Sequence, residues 1–121
     1  MKIIISNSSK EPIYQQIVNQ IKNLILSEKL KEGEILPSIR NLAKELSISV
    51  ITTKRAYDEL EKEGFIETTP GKGSFVASQN KEMFIERKLR IIDEKLTEVI
   101  NDCKLMNLSL EEIIEMIKII Y

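Results

Sequence analysis

From Lys81 to Met106 the apolar residues Ile85, Leu89, Ile92, Leu96, Val99, Cys103 and Met106 alternate intervals of four and three, a heptad seam sustained for three repeats. As one helix this segment is about 39 Å long, at about 1.5 Å of rise per residue. A rod of that length does not fold back as one more short core helix of a small domain. The chain therefore divides into a compact N-terminal part and a helical tail, and its 121 residues leave no room for a large second domain. Beyond the seam, "LSLEEI" offers Ser109 as a helix N-cap with Glu112 three residues on, a capping box. Leu108 and Ile113 are spaced to staple that cap, and Ile113, Ile114, Ile117 and Ile120 give the last helix an apolar face.

The N-terminal part carries a different rhythm. "KIII" at residues 2–5 reads as a short strand, followed by a polar loop ending at Pro12, which suits the first turn of a helix. Ile13, Ile17, Ile21, Leu24 and Ile25 then mark an amphipathic helix, with Gln15, Gln16, Asn19, Gln20 and Lys22 on its other side. Gly33 breaks the pattern, and Pro37-Ser38 reads as the lead-in and N-cap of a second helix with an apolar stripe of Ile39, Leu42, Ala43 and Leu46. After the interruption "LSISV", Ser49 can cap a third helix running to about Glu63, in which Thr53, Ala56, Tyr57 and Leu60 share one face and which Gly64 ends. A helix, a three-residue break and a longer capped helix have the spacing of a helix-turn-helix. "FIETT" and "GSFVA" then read as two strands joined by the turn formers "PGKG". The expected fold is mainly α with a small β wing: a winged helix-turn-helix followed by a C-terminal helical tail.

Composition removes several functions. The chain has one cysteine, Cys103, and no histidine, so intrachain disulfides, His/Cys metal sites and histidine-based catalysis are excluded. Scattered acidic residues without a cofactor motif make an enzyme a poor reading, and neither catalytic residues, metal nor cofactor are expected. Apolar runs reach only three residues, such as Ile3 to Ile5, too short for a membrane span or a signal peptide. A cytoplasmic protein without a membrane partner is expected. The net charge of −1 argues against indiscriminate coating of nucleic acid, so the local arrangement of charge decides.

Two local features bear on phosphate. The Gly71-Lys72-Gly73-Ser74 run superficially resembles a nucleotide-binding loop, but such a loop needs Gly where Ile66 stands and Ser or Thr where Gly73 stands. A strand-like "SFVA" follows it instead of a helix whose N-terminus could hold the anion. The third helix offers more. Lys54 and Arg55 lie opposite Ala56, Tyr57 and Leu60, and Ser49, Val50, Ile51 and Thr52 stand exposed at its start. Asp58, Glu59, Glu61 and Glu63 crowd its far end, so only its N-terminal half suits a DNA backbone. A winged helix used for protein contact is the alternative; it has no need of Arg40, Lys54 and Lys72 on one side.

The stretch "LPSIRNLAKELSISVITTKRAYDELEKEGFIETTPGKGSFVA", Leu36 to Ala77, resembles the winged helix-turn-helix of the GntR family of bacterial transcription regulators. The shared features are L-P-S-x-R, a capped helix with T-x-x-x-A-Y-x-x-L, E-G, and a G-x-G-S-x-V wing. With the preceding helix the resemblance covers about residues 11–78, and the short tail is similar to that of the YtrA subfamily. The resemblance implies a DNA-binding domain over 11–78, with the helix-turn-helix at about 38–62 and the wing at about 65–77, and a two-helix dimerisation tail over 79–121. It implies Arg40 on the phosphate backbone, Ser49, Val50, Ile51 and Lys54 at the groove, and Gly71 and Lys72 at the wing tip; Thr52 and Arg55 are groove-facing by their place at the start of the same helix. Ile85, Leu89, Ile92, Leu96, Val99, Cys103, Ile113 and Ile117 would join two chains.

The implied function is a homodimeric repressor on a palindromic operator of double-stranded DNA, in a subfamily that often controls transporter operons. A small-molecule effector, if one exists, would use the dimer interface or a hinge near residues 77–82. One departure stands out: some relatives carry arginine where this chain has Val50, and valine can make only apolar contacts such as with a thymine methyl. An A/T-containing half-site is the corresponding expectation.

Overall fold

Pro12 caps the first helix, whose opening turn closes with the Gln16 amide donating to the Pro12 carbonyl at 3.1 Å in the computed structural model. The structure describes residues 1–78 and 81–121, apart from the side chain of Lys81. Its elements are α1 (Ile13–Leu26), α2 (Ile39–Leu46), α3 (Val50–Lys62), β1 (Ile66–Thr69), β2 (Gly73–Val76), α4 (Lys81–Leu105) and α5 (Leu110–Ile120). They form two compact units, Met1–Lys81 and Glu82–Tyr121. The first unit includes residues 1–10, which the expected DNA-binding domain left out. The expected boundary after residue 78 and the hinge near 77–82 run into Gln79 and Asn80, which lie outside the described residues.

In the first unit α1 and α2 both pack on α3, and α3 rests on β1. Ile17, Val18, Ile21, Leu42, Thr53, Ala56, Leu60 and Ile66 are fully buried there and make the core. Each large aliphatic so buried is worth about 1.5–3 kcal/mol. The expected face of α3, Thr53, Ala56, Tyr57 and Leu60, is buried throughout.

The helix-turn-helix is built by local capping. Ser38 Oγ accepts from the Asn41 amide at 3.1 Å and Ser49 Oγ from the Thr52 amide at 3.0 Å, fixing the starts of α2 and α3. Ser47 takes a left-handed φ of 55° and the Ile48 amide reaches back to the Ala43 carbonyl at 2.9 Å, so α2 stops within one residue. At the other end of α3, Gly64 has φ 82°, and its amide and that of Phe65 return to the carbonyls of Glu61 and Leu60. That paired closure needs a left-handed residue, which glycine supplies without a Cβ penalty.

β1 and β2 pair antiparallel from Ile66↔Val76 to Thr69↔Gly73. The turn between them has Pro70 and Gly71 at its centre, with the Lys72 amide donating to the Thr69 carbonyl at 3.1 Å and Gly71 at φ 82°. This is a type II turn, which requires positive φ at that glycine. The outer edge of β2 is covered. Ile35 bridges Phe75, and bonds from the Leu36 amide to the Ser74 carbonyl and from the Val76 amide to the Glu34 carbonyl add a third extended segment. The sequence reading missed this segment because its pairing partner lies far along the chain.

Two expectations need correction. "KIII" is not a strand, and Gln16 is not on the exposed side of α1: it is only 7% exposed. The Ser6 amide donates to Gln16 Oε1, and Gln16 Nε2 donates to the carbonyls of Ser6 and Glu11. Gln20 holds Ile4 in the same two-sided way, accepting from its amide at 2.8 Å and donating to its carbonyl at 2.6 Å. Glutamine amides on a helix replace the strand neighbour that the extended segment lacks, satisfying its backbone groups.

In the second unit α4 and α5 meet at a tight turn. Asn107 has φ 58°, the Leu108 amide returns to the Cys103 carbonyl at 3.0 Å, and Ser109 Oγ caps α5 by accepting from the Glu112 amide. Cys103 is buried and Leu108 and Ile113 are half-buried. The rest of the seam is uncovered: Ile85, Leu89, Ile92, Leu96 and Val99 are 44–58% exposed, and Ile117 is exposed as well. Cys103 is already buried beside the turn within its own chain. Among the described residues, no helix is long and apolar enough to cross a membrane.

Candidate nucleic-acid interface

α3 presents its first turn bare. Val50 is 51% and Ile51 82% exposed, high values for large aliphatics in a unit with a well-filled core. Ser49 and Thr52 flank them but are tied together: the Ser49 hydroxyl donates to Thr52 Oγ1 at 2.7 Å while accepting from the Thr52 amide. The cap therefore uses the Ser49 hydroxyl in both of its roles. Thr53, one residue on, turns inward and donates to the Ser49 carbonyl at 3.1 Å.

The two cations of this helix are placed differently. Lys54 Nζ donates to Asp58 Oδ2 at 2.8 Å on the exposed surface, and that hydrogen bond, then the charge of Asp58 and that of Glu61, raise the lysine above its ordinary pKa of 10.5. The Arg55 guanidinium lies over the Tyr14 ring of α1, 3.8 Å from its centroid, a cation–π contact that holds it toward the first helix. Tyr14 was not singled out in the sequence, and Asp58 was read only as one of the acids crowding the far end of α3. Only the i, i+4 spacing of Lys54 and Asp58 could have signalled one of these partners.

Arg40 is exposed on the first turn of α2. A cation there gains nothing from the helix dipole, which favours anions at that end. On the wing, Gly71 and Lys72 are exposed at the turn, Lys72 Nζ lies 4.0 Å from the Phe75 ring centroid, and the Thr68 and Ser74 hydroxyls are 2.9 Å apart across the strands. The element after the Gly-Lys-Gly run is β2, so no helix N-terminus stands ready for a nucleotide phosphate.

Tyr57 locks the recognition helix to the rest of the motif. Its hydroxyl donates to the Pro37 carbonyl at 2.7 Å, and the ring is buried. Burial, with the Glu45 carboxylate adding to it, pushes the phenol well above its ordinary pKa of 10.0. The structure thus groups Ser49, Val50, Ile51 and Thr52 at one end of α3, pairs Lys54 with its own helix, and draws Arg55 toward α1. Among the described residues, no cluster of His, Cys, Asp or Glu is arranged to hold a metal ion.

Known proteins share this fold. The sequence model of the bacterial regulatory proteins of the gntR family matches residues 13–76. The HTH-type transcriptional repressor YtrA of Bacillus subtilis is 40% identical over 116 residues, covering 96% of this chain and 89% of the relative. A transcriptional regulator from Oenococcus oeni superposes with a TM-score of 0.77 at 30% identity, covering 96% of each chain. A GntR family transcriptional regulator from Listeria monocytogenes gives 0.73 at 33% identity, covering 94% of this chain and 97% of that one. These relatives are regulators and not enzymes. With its capped helix-turn-helix, its wing and this kinship, the chain belongs to the GntR family and is a DNA-binding transcriptional regulator.

Proposed function

We propose that the protein is a cytoplasmic repressor that binds a palindromic operator as a homodimer and controls a transporter operon. The observation that carries the dimer is the uncovered stripe on α4: five large aliphatics from Ile85 to Val99 remain about half exposed. Left in water, each forfeits roughly half of the about 1.5–3 kcal/mol that full burial contributes, and a second copy of the same stripe is the self-complementary cover. One recognition helix reads only a few base pairs, so two copies about a two-fold axis supply the specificity, with half-sites about 34 Å apart or a multiple of that. Repression and a transporter target follow the YtrA-like length and tail.

Sedimentation velocity of the full chain tests the dimer. The wild type is expected to sediment as two chains, and the double change Leu89→Asp with Leu96→Asp as one, with operator affinity at least tenfold weaker. A wild-type chain that sediments as a monomer at micromolar concentration contradicts the reading. So does a double variant with undiminished operator binding.

A further inference from the structure

We infer that Val50 and Ile51 contribute to operator selection by apolar contact with thymine methyl groups at the first turn of α3. This rests on the DNA-binding reading above and adds which chemical group is read.

The polar side chains at the start of α3 all have partners. The Ser49 hydroxyl donates its proton to Thr52 Oγ1 and accepts from the Thr52 amide. Lys54 is held by Asp58 at 2.8 Å, and Arg55 by the face of Tyr14 at 3.8 Å. A bidentate grip on the O6 and N7 of guanine requires a lysine or arginine released from such partners. Val50 and Ile51 are the side chains of this turn with nothing to give up, and Ile51 is 82% exposed. In the major groove the only apolar group that distinguishes one base pair from another is the C5 methyl of thymine. A β-branched pair at the first two positions of a groove-entering helix can cover one or two such methyls and has no means of reading a guanine edge.

Duplexes selected from a random library with the full chain supply the probe. Each thymine of the selected half-site is then replaced in turn by deoxyuridine, which deletes the methyl and leaves every hydrogen-bonding group in place. The expected result is a roughly three- to tenfold loss of affinity at one or two positions and little change elsewhere. In the double variant Val50→Ala, Ile51→Ala the same replacements should change affinity by less than about twofold, since the contact is already gone. Both residues are exposed and alanine favours helix, so the variant should keep its circular dichroism spectrum. Uridine tolerated at every position overturns the inference, as does a uridine penalty of the same size in the double variant. Both results leave the dimeric repressor standing if a palindrome was selected. Selection of no sequence at all overturns the DNA-reading proposal itself.

Discussion

Lys54 Nζ and Asp58 Oδ2 stand 2.8 Å apart on successive turns of α3, so the first cation of the recognition helix meets an acid on the same helix. A lysine followed by its acid is the weaker order for helix stability, and both side chains are exposed, so the pair does little for the fold. Its influence falls on the approach to phosphate, where Asp58 offsets the charge of Lys54. Asp58→Asn is expected to raise affinity for arbitrary duplex severalfold. It should also steepen the plot of log affinity against log salt by up to about 0.9, the contribution of one phosphate contact. An unchanged slope in a salt titration contradicts the placement of Lys54 near the backbone.

Arg40 and Lys72 lie outside the base-reading turn, on α2 and on the wing. Lys72→Ala and Arg40→Ala should each weaken binding to every sequence by a similar factor and flatten the salt slope by about 0.9 per contact. Competition between selected and random duplex checks this: the ratio of the two affinities should stay within about twofold. A change confined to the selected duplex contradicts the assignment to phosphate.

Tyr57 couples α3 to Pro37 through its 2.7 Å hydrogen bond, and Tyr57→Phe should cost about 0.5–1.5 kcal/mol of stability in chemical denaturation. The same phenol sets an alkaline limit. Because its pKa is higher folded than unfolded, its contribution is fully present below the ordinary value of 10.0 and declines as pH rises above it. Urea midpoints between pH 9 and 11 should therefore fall more steeply in the wild type than in Tyr57→Phe. Parallel curves contradict the coupling.

Gln16 holds both Ser6 and the Glu11 carbonyl through one buried amide. Gln16→Leu should destabilise the first unit by about 1–3 kcal/mol, because the backbone groups it served lose their partner. Hydrogen exchange should show a faster amide at Ser6 while α3 stays protected. Uniform protection across the N-terminal segment contradicts the clamp.

The parts of this fold that were legible in the sequence are those set by neighbours a few residues apart. Ser38, Ser49 and Ser109 announce their helices because a cap bonds three residues ahead, and Pro70-Gly71 announces the hairpin because the turn type dictates those residues. The buried face of α3 follows from helical spacing alone. What escaped depends on partners brought close only by folding. Gln16 reads as polar surface until Ser6 lies across it, Ile35 reads as loop until Phe75 pairs with it, and the contact of Arg55 with Tyr14 has no signal in the spacing of the chain. The seam shows the reverse case: its spacing is plain in the chain, but its exposure from Ile85 to Val99 emerges only when no element of the same unit covers it.

The stoichiometry of the full chain on its selected duplex, measured by sedimentation with a footprint of the same complex, tests the central claim most directly. The account predicts two chains per duplex and two symmetric protected half-sites spaced by about one helical turn or a multiple of it. One chain bound at a single unrepeated half-site with full affinity would contradict it.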